Sequence, residues 1–361
     1  MDHSSRRRRL QDALAENKLD SLLVTHLPNI RYLCGFTGSA GTLLVGERGA
    51  TFFTDGRYRT QARDEVSGVR IVIARKAPAL AAAEFLAVSQ SRTAQRLGLE
   101  PHSVTLGQRD QLSAILKRKW KLVSAPPLIE RARMVKDREE IRRIRAAIEL
   151  GARLFETARR KIRPGVKEVE VAAAMEFEAR RSGADGMSFS TIIAAGKRSA
   201  VVHGRASESR IPRRGFVVCD FGVILAGYCS DRTRTVHVGR PASDARRMYQ
   251  AVLDAQQGAI AQVRSGVTAD SVDDAARRIL GKHGLARYFS HSTGHGLGLE
   301  IHEAPRLAAG QTQVLQPGMV ITIEPGAYIP GKQGVRIEDV VVVTATGCEV
   351  LTPTDKELII I

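Results

Sequence analysis

Hydrophobic positions fall into two patterns along this chain, short branched runs and longer stretches with apolar residues every three or four positions. Their alternation predicts an α/β layer up to Ala125. The short runs are SLLVT from Ser21, TLLVG from Thr42, TFFT from Thr51, RIVIA from Arg70, RLGLE from Arg96 and KLVSA from Lys121, each rich in the residue types that suit a pleated strand. Between them, amphipathic spacing predicts helices over Arg7 to Lys18, from about Arg57, through the 80s, and over Leu106 to Lys117. NIRYLCGF from Asn29 forms a short element before the small-residue turn TGSAG, and Asp55-Gly56 marks a tight turn. Pro126-Pro127 interrupts both helix and ladder and sets a boundary, giving domains 1–128 and 129–361. Beyond it, Ile141, Ile144, Ile148 and Phe155 recur at helical spacing and predict a long core-facing helix.

The second part is internally repetitive. Ile162 to Ala184 resembles Val263 to Ala286, with Gly165-Val166 matching Gly266-Val267. Continuing the alignment sets VVCDFG at Val217 against VITIEPG at Val320, and the strand carrying Asp231 against the one carrying Glu338. Two similar α/β halves about a pseudo-twofold axis are expected, with acids from both converging on a central cleft.

Composition narrows the function. With 43% hydrophobic and 26% charged residues the 361-residue chain suits a soluble protein of two domains. There is no apolar run of roughly 18 residues, so no transmembrane helix is expected. The charged start lacks the apolar segment a signal peptide requires, and a cytoplasmic protein is expected. Cys34, Cys219, Cys229 and Cys348 show no CxxC and no disulfide spacing, and read as reduced thiols. The net charge of +17 could attract nucleic acid, yet apart from Arg6 to Arg9 the basic residues are scattered and no aromatic-interleaved stretch accompanies them. Specific nucleic-acid binding is therefore not expected.

The chemistry gathers in three stretches. Phe216 to Thr235 reads as two strands joined by a turn near Ala226-Gly227, with Asp220 and Asp231 facing each other, their Cβ atoms about 5 Å apart. Two such carboxylates need a shared proton or a cation between them, unless one is solvated at a strand end. In HSTGHGLGLEIHE the spacing of His291 and His295 would suit a helical metal pair, but Gly294, Gly296 and Gly298 argue for an irregular segment with His295 and His302 at the rim of a cleft. Glu324 ends an apolar strand before Pro325-Gly326, and Arg336 and Glu338, two apart in an alternating strand, are expected on one face. Each acid singly could be an ion-pair partner. Together, four carboxylates and one imidazole could hold two divalent ions, activate a water and clamp a carbonyl oxygen, as amide hydrolysis requires.

DFGVILAGYCSDRTRT, TGHGLGLEIHE, TIEPG and GVRIEDV resemble the metal-site motifs of the pita-bread metallopeptidases, the family of Xaa-Pro aminopeptidase, Xaa-Pro dipeptidase and methionine aminopeptidase, over residues 135–361. NIRYLCGFTGSAG to TDGRY resembles the creatinase-type amino-terminal domain of the proline-specific branch. The resemblance implies a creatinase-like α/β domain followed by a pseudo-twofold pita-bread catalytic domain of α/β (α+β) class. It implies Asp220, Asp231, His295, Glu324 and Glu338 as ligands of two divalent ions, manganese first with cobalt or zinc as alternatives, and Asp231 and Glu338 as bridges. His203 in VVHG and His302 match substrate-handling histidines, and Arg336 the arginine beside the last ligand.

Arg198 stands where the family often has Asn, Ala206 where Pro is frequent, and Gly215-Phe216 replaces a common Gly-Asp. The expected activity is that of an Xaa-Pro aminopeptidase acting on proline-containing peptides, and a homodimer is expected. Xaa-Pro dipeptidase is the alternative, with Arg198 a candidate partner for the substrate's terminal carboxylate. A non-catalytic binding module is disfavoured by the full set of five ligand positions.

Overall fold

In the computed structural model, which describes residues 1–47, 49–88, 95–352 and 355–361, the chain divides into two units, Met1–Arg133 and Met134–Ile361. The first is built from α1 (His3–Glu16), β1 (Ser21–Val24), α2 (Leu27–Cys34), β2 (Thr42–Gly46), β3 (Gly49–Asp55), α3 (Arg59–Glu65), β4 (Arg70–Ala74), α4 (Pro78–Ala87), β5 (Gln95–Leu99), α5 (Leu106–Leu116) and β6 (Trp120–Ser124). The helix α6 (Leu128–Met134) leads out of it. The six strands form one mixed sheet in the order β4-β3-β2-β1-β5-β6. Leu23, Leu44, Phe53, Leu97 and Leu99 meet Ala82, Leu86, Leu112 and Leu116 of α4 and α5 in a core beneath those helices. The α/β alternation expected up to Ala125 is thus present; the part of the 80s helix that would reach residue 89 lies outside the described residues.

The arginine run at the start has a local task. Arg6 and Arg7 are buried and donate to the carbonyl oxygens of Tyr32 (3.2 Å) and Leu33 (2.7 Å), at the carboxyl end of α2 where helix carbonyls lack partners. The Arg6 guanidinium also lies 4.0 Å from the centroid of the Tyr32 ring.

The second unit carries the repeat. Its first half holds α7 (Arg138–Lys161), α8 (Glu168–Arg181), β7 (Gly186–Met187), β8 (Ile192–Ala195), β9 (Gly215–Phe221), β10 (Val223–Leu225), β11 (Tyr228–Cys229) and β12 (Arg232–Val238). Its second holds α9 (Ser243–Gln262), α10 (Ala269–Lys282), β13 (Gly294–Gly296), β14 (Glu303–Leu307), β15 (Val320–Ile323), β16 (Gly326–Ile329), β17 (Gln333–Arg336), β18 (Asp339–Val343) and β19 (Cys348–Val350). Each half packs two helices on an antiparallel sheet, β12-β9-β8 in one and β14-β13-β15-β18-β19 in the other. Gly165 and Gly266, matched in sequence, share φ = +87° in the turns before α8 and α10, a conformation glycine adopts without a Cβ penalty. A mixed cluster of Ile144, Ile148, Tyr228, Leu297, Val320 and Val340 joins the halves. Among the described residues no helix is long and apolar enough to cross a membrane.

The hairpin differs from expectation in register. Its turn is where the sequence places it, with Leu225 opposite Tyr228 around Ala226 (φ +47°) and Gly227 (φ +78°). That two-residue turn sets Asp220 opposite Thr233, so Asp231 does not face Asp220 but precedes β12 by one residue. The strands pinch between these positions: a Cβ on Gly222 would lie 1.9 Å from the Ser230 carbonyl oxygen.

Candidate active site

The aspartates come from the first half, Asp220 from β9 and Asp231 from the lead into β12, where its Oδ1 accepts the Arg232 N–H at 2.8 Å. His295 lies on β13, a strand and not the irregular segment expected from its glycines. β13 is squeezed between two others, since a Cβ on Gly294 would stand 1.9 Å from the Thr322 carbonyl oxygen and one on Gly296 2.3 Å from that of Ala304. Glycine in this strand permits close backbone approach. His302 does lie on the irregular segment that follows.

The His295 backbone N–H donates to Thr322 Oγ1 (3.0 Å) and its Nδ1 contacts the Gly296 carbonyl oxygen (3.0 Å), which leaves Nε2 directed at the acids. Nε2 stands 3.5 Å from Asp231 Oδ2 and 3.5 Å from Glu324 Oε1. Glu324 follows β15 directly. Glu338 precedes β18, while Arg336 ends β17, so these two belong to different strands and not to one alternating strand as expected. They still converge, because the connection of Ile337 and Glu338 folds onto β12: the Glu338 N–H donates to the Thr233 carbonyl (3.1 Å), and the Thr233 hydroxyl donates to Glu338 Oε2 (2.9 Å).

Arg336 pairs with Asp220 and also donates to Thr233 Oγ1 (3.1 Å), the Val202 carbonyl (3.1 Å) and the Tyr328 hydroxyl (2.7 Å), which in turn contacts His291 Nε2 (2.8 Å). Tyr328 was not singled out in the sequence, and His291, weighed there only as a helical metal partner of His295, instead contacts the Tyr328 hydroxyl.

Ligand atoms of Asp231, His295 and Glu338 all lie within 4.8 Å of one another. The residues fit a cation on two further observations. Glu338 Oε1 is buried without a hydrogen-bond partner. Burial, and then neighbouring carboxylates, push the Glu338 carboxyl well above its usual range; burial raises Asp231, and Glu324 to about 7. Burial by itself would lower the His295 imidazole, but Asp231 and Glu324 outweigh it and hold it at about 9. Negative groups gathered out of water in this way are the setting in which a divalent ion is bound.

Around them opens a cavity of about 620 Å³ lined by His203, Asp220, Asp231, His295, His302, Glu324 and Arg336 among others; Glu338 lies buried behind it. The His302 ring stands 4.4 Å from that of His295 at 72°, and burial followed by the two neighbouring histidines lowers its pKa. The segment carrying His302 is anchored by a buried ion pair: Glu303 accepts from Lys136 Nζ at 3.1 Å and from the Glu300 N–H at 3.1 Å.

Arg198, the arginine proposed from sequence to meet a substrate carboxylate, is committed elsewhere. Its Nε donates to both oxygens of the buried Glu168 (3.0 and 3.2 Å) and another nitrogen to the Arg205 carbonyl (2.7 Å). The arginines in the cavity wall besides Arg336 are Arg205 and Arg306. Their signal was proximity to the histidines already singled out, two residues after His203 and four after His302.

Comparison with known proteins matches residues 142–345 to the family described as Metallopeptidase family M24, and residues 6–135 to the Creatinase/Prolidase N-terminal domain. An Xaa-Pro dipeptidase of Pyrococcus horikoshii is 37% identical over 354 residues, 98% of this chain and 98% of that protein. Among solved structures, an Xaa-Pro dipeptidase from Bacillus anthracis is similar with a TM-score of 0.94 and 40% identity, over 99% of this chain and 100% of that one. An X-Pro aminopeptidase from Thermotoga maritima gives 0.90 and 33%, over 99% of this chain and 100% of that one.

Proposed function

The chain belongs to metallopeptidase family M24 and is a metal-dependent peptidase, and from that premise we propose that it is an Xaa-Pro dipeptidase, hydrolysing the bond between an N-terminal residue and a C-terminal proline. The observation that carries this reading is Arg306 in the cavity wall. It stands opposite His295 across the β13-β14 pair, and no side-chain partner engages its guanidinium among the described residues. A cation so placed suits the terminal carboxylate of a dipeptide. The names of the two dipeptidase relatives point the same way, against the aminopeptidase reading preferred from the sequence.

In this reading Asp220, Asp231, His295, Glu324 and Glu338 would hold two divalent ions, with Asp231 and Glu338 shared between them. The oxygen-rich donor set with one imidazole favours manganese over softer metals. When bound, such a pair supplies an activated water and a Lewis acid for the scissile carbonyl. The chain's own residues orient the rest. Arg336, held by Tyr328 and Thr233, fixes the carboxylate of Asp220. His302, kept neutral by its surroundings, can donate a hydrogen bond to the carbonyl oxygen as it gains charge. His203 contacts the proline side, and Phe189, Ile192 and Val202 give the substrate an apolar wall. The proposal extends to a cytoplasmic location, since the four free cysteines suit a reducing compartment, and to a homodimer.

Cleavage of Ala-Pro and Ala-Pro-Ala by the Mn²⁺-loaded enzyme, followed by mass spectrometry, tests the assignment. The tripeptide is expected to fall at least about a hundredfold below the dipeptide in kcat/KM, roughly 2.7 kcal/mol of transition-state stabilisation. Comparable turnover would make the protein an aminopeptidase.

A further inference from the structure

The cavity has one more cation than an Xaa-Pro dipeptide of neutral side chain can use. Of its charged lining residues, Arg336 is taken by Asp220 and Glu303 by Lys136. Asp231 and Glu324 belong to the proposed metal set. Arg205 and Arg306 remain, neither with a side-chain partner among the described residues, whereas the substrate's one obligatory carboxylate accounts for a single arginine.

The two arginines stand on different walls. Arg205 bridges to Ile192, Ile192 lies opposite Asp220 in the β8-β9 pair, and Asp220 lies opposite Thr233 in β12. Residues directly opposite in an antiparallel ladder project to the same face, so Arg205, Ile192, Asp220 and Thr233 form one row that ends at the metal site. Two strand spacings put the Cα atoms of Arg205 and Asp220 about 10 Å apart. Arg306 belongs to the other half, in the row of His295. The buried Lys136–Glu303 pair anchors the start of its strand, which suits it to the obligatory terminal carboxylate. Arg205, on the segment outside the strands, has the apolar side chain of Ile192 between its own backbone and the metal site. A short aliphatic stem ending in a negative charge complements that arrangement.

We propose that Arg205 reads the side chain of the residue before proline, and that the enzyme prefers substrates with N-terminal glutamate or aspartate. This rests on the cavity being a proline-peptidase site, but not on whether the substrate ends at proline. The guanidinium offers a planar pair of donors that a carboxylate meets with two hydrogen bonds and a carboxamide meets with neither the charge nor the same geometry. The plain alternative is a solvated arginine at the rim that never touches substrate.

The test is the ratio of kcat/KM for Glu-Pro over Gln-Pro, two substrates of nearly equal shape, on the Mn²⁺-loaded enzyme at neutral pH. The wild type is expected to favour Glu-Pro at least about tenfold, with the ratio declining as salt is raised. Arg205→Ala is expected to bring the ratio close to one, and Arg205→Lys to keep it above one because the charge stays. Arg306→Ala is expected to lower both dipeptides by the same factor and preserve the ratio. A wild-type ratio near one overturns the proposal, as does a ratio that survives Arg205→Ala or collapses only in Arg306→Ala. Glu-Pro-Ala over Gln-Pro-Ala separates this from the preceding reading: if tripeptides are good substrates and the ratio persists, the dipeptidase assignment falls while that of Arg205 stands.

Discussion

One carboxylate oxygen of Glu338 accepts the Thr233 hydroxyl and the other is buried without a partner, the kind of group a folded protein keeps only for a reason. If that oxygen is a metal donor shared between two ions, Glu338→Ala should take the metal content measured by plasma mass spectrometry from two ions per chain to less than one. His302→Ala should leave the metal content at two and lower kcat by about 10²–10³, the usual effect of losing a donor to a developing oxyanion. A metal-loaded Glu338→Ala protein would remove Glu338 from the ligand set. At this scale the sequence was informative about residue type, since buried acids and an imidazole have few other reasons to cluster. It was poor at sorting arginines, because a guanidinium that pairs with Glu168 and one that lines a cavity look alike until the fold shows which has a buried partner within reach.

Elements were legible where periodicity decides them and obscure where close approach does. The matched turns at Gly165 and Gly266 follow from aligned repeats, and the long α7 from its apolar spacing and the Asp137–Glu140 capping box. Three features escaped. Arg336 and Glu338 are separated by a break between β17 and β18 that the alternating pattern does not show. The hairpin register depends on counting from a two-residue turn, and β13 reads as irregular because glycines seldom favour a strand unless neighbouring backbones press on it. That pressure can be measured. Gly294→Ala would force a Cβ to within 1.9 Å of the Thr322 carbonyl oxygen, between β13 and β15. It is expected to destabilise the fold by about 3 kcal/mol, the upper end for overpacking. Gly165→Ala, where φ is +87° but nothing stands within 4 Å, should cost only about 1 kcal/mol of backbone strain. Urea unfolding midpoints distinguish them, and equal shifts would mean that β13 relaxes freely around the added methyl.

Across the whole molecule, the repeat explains why each half delivers an acid at the start of a strand, Asp231 before β12 and Glu338 before β18. The residues that follow differ, and the difference ties the chain's last segment to the site. After Glu338 comes Asp339, fully buried, whose oxygens accept from Arg234 (2.7 Å), Lys356 (2.7 Å) and Gln256 (2.9 Å). Arg234 also donates to the carbonyls of Glu338 and Thr233, so this cluster holds the backbone from which the Glu338 carboxylate projects. Lys356 is placed by the segment 355–361. The Tyr249 hydroxyl donates to the Lys356 carbonyl (2.9 Å), and His237 exchanges backbone hydrogen bonds with Ile359 and Ile361 (2.9 Å each). Removing the ammonium leaves Asp339 with a guanidinium and an amide but one cation fewer in a buried setting. Lys356→Met should therefore weaken the retained metal about tenfold, roughly 1.4 kcal/mol, in a chelator-competition titration, and lower Tm by a few degrees. Lys356→Arg should recover most of the affinity. A variant with lower Tm but unchanged metal affinity would show that the tail stabilises the fold without setting the position of Glu338.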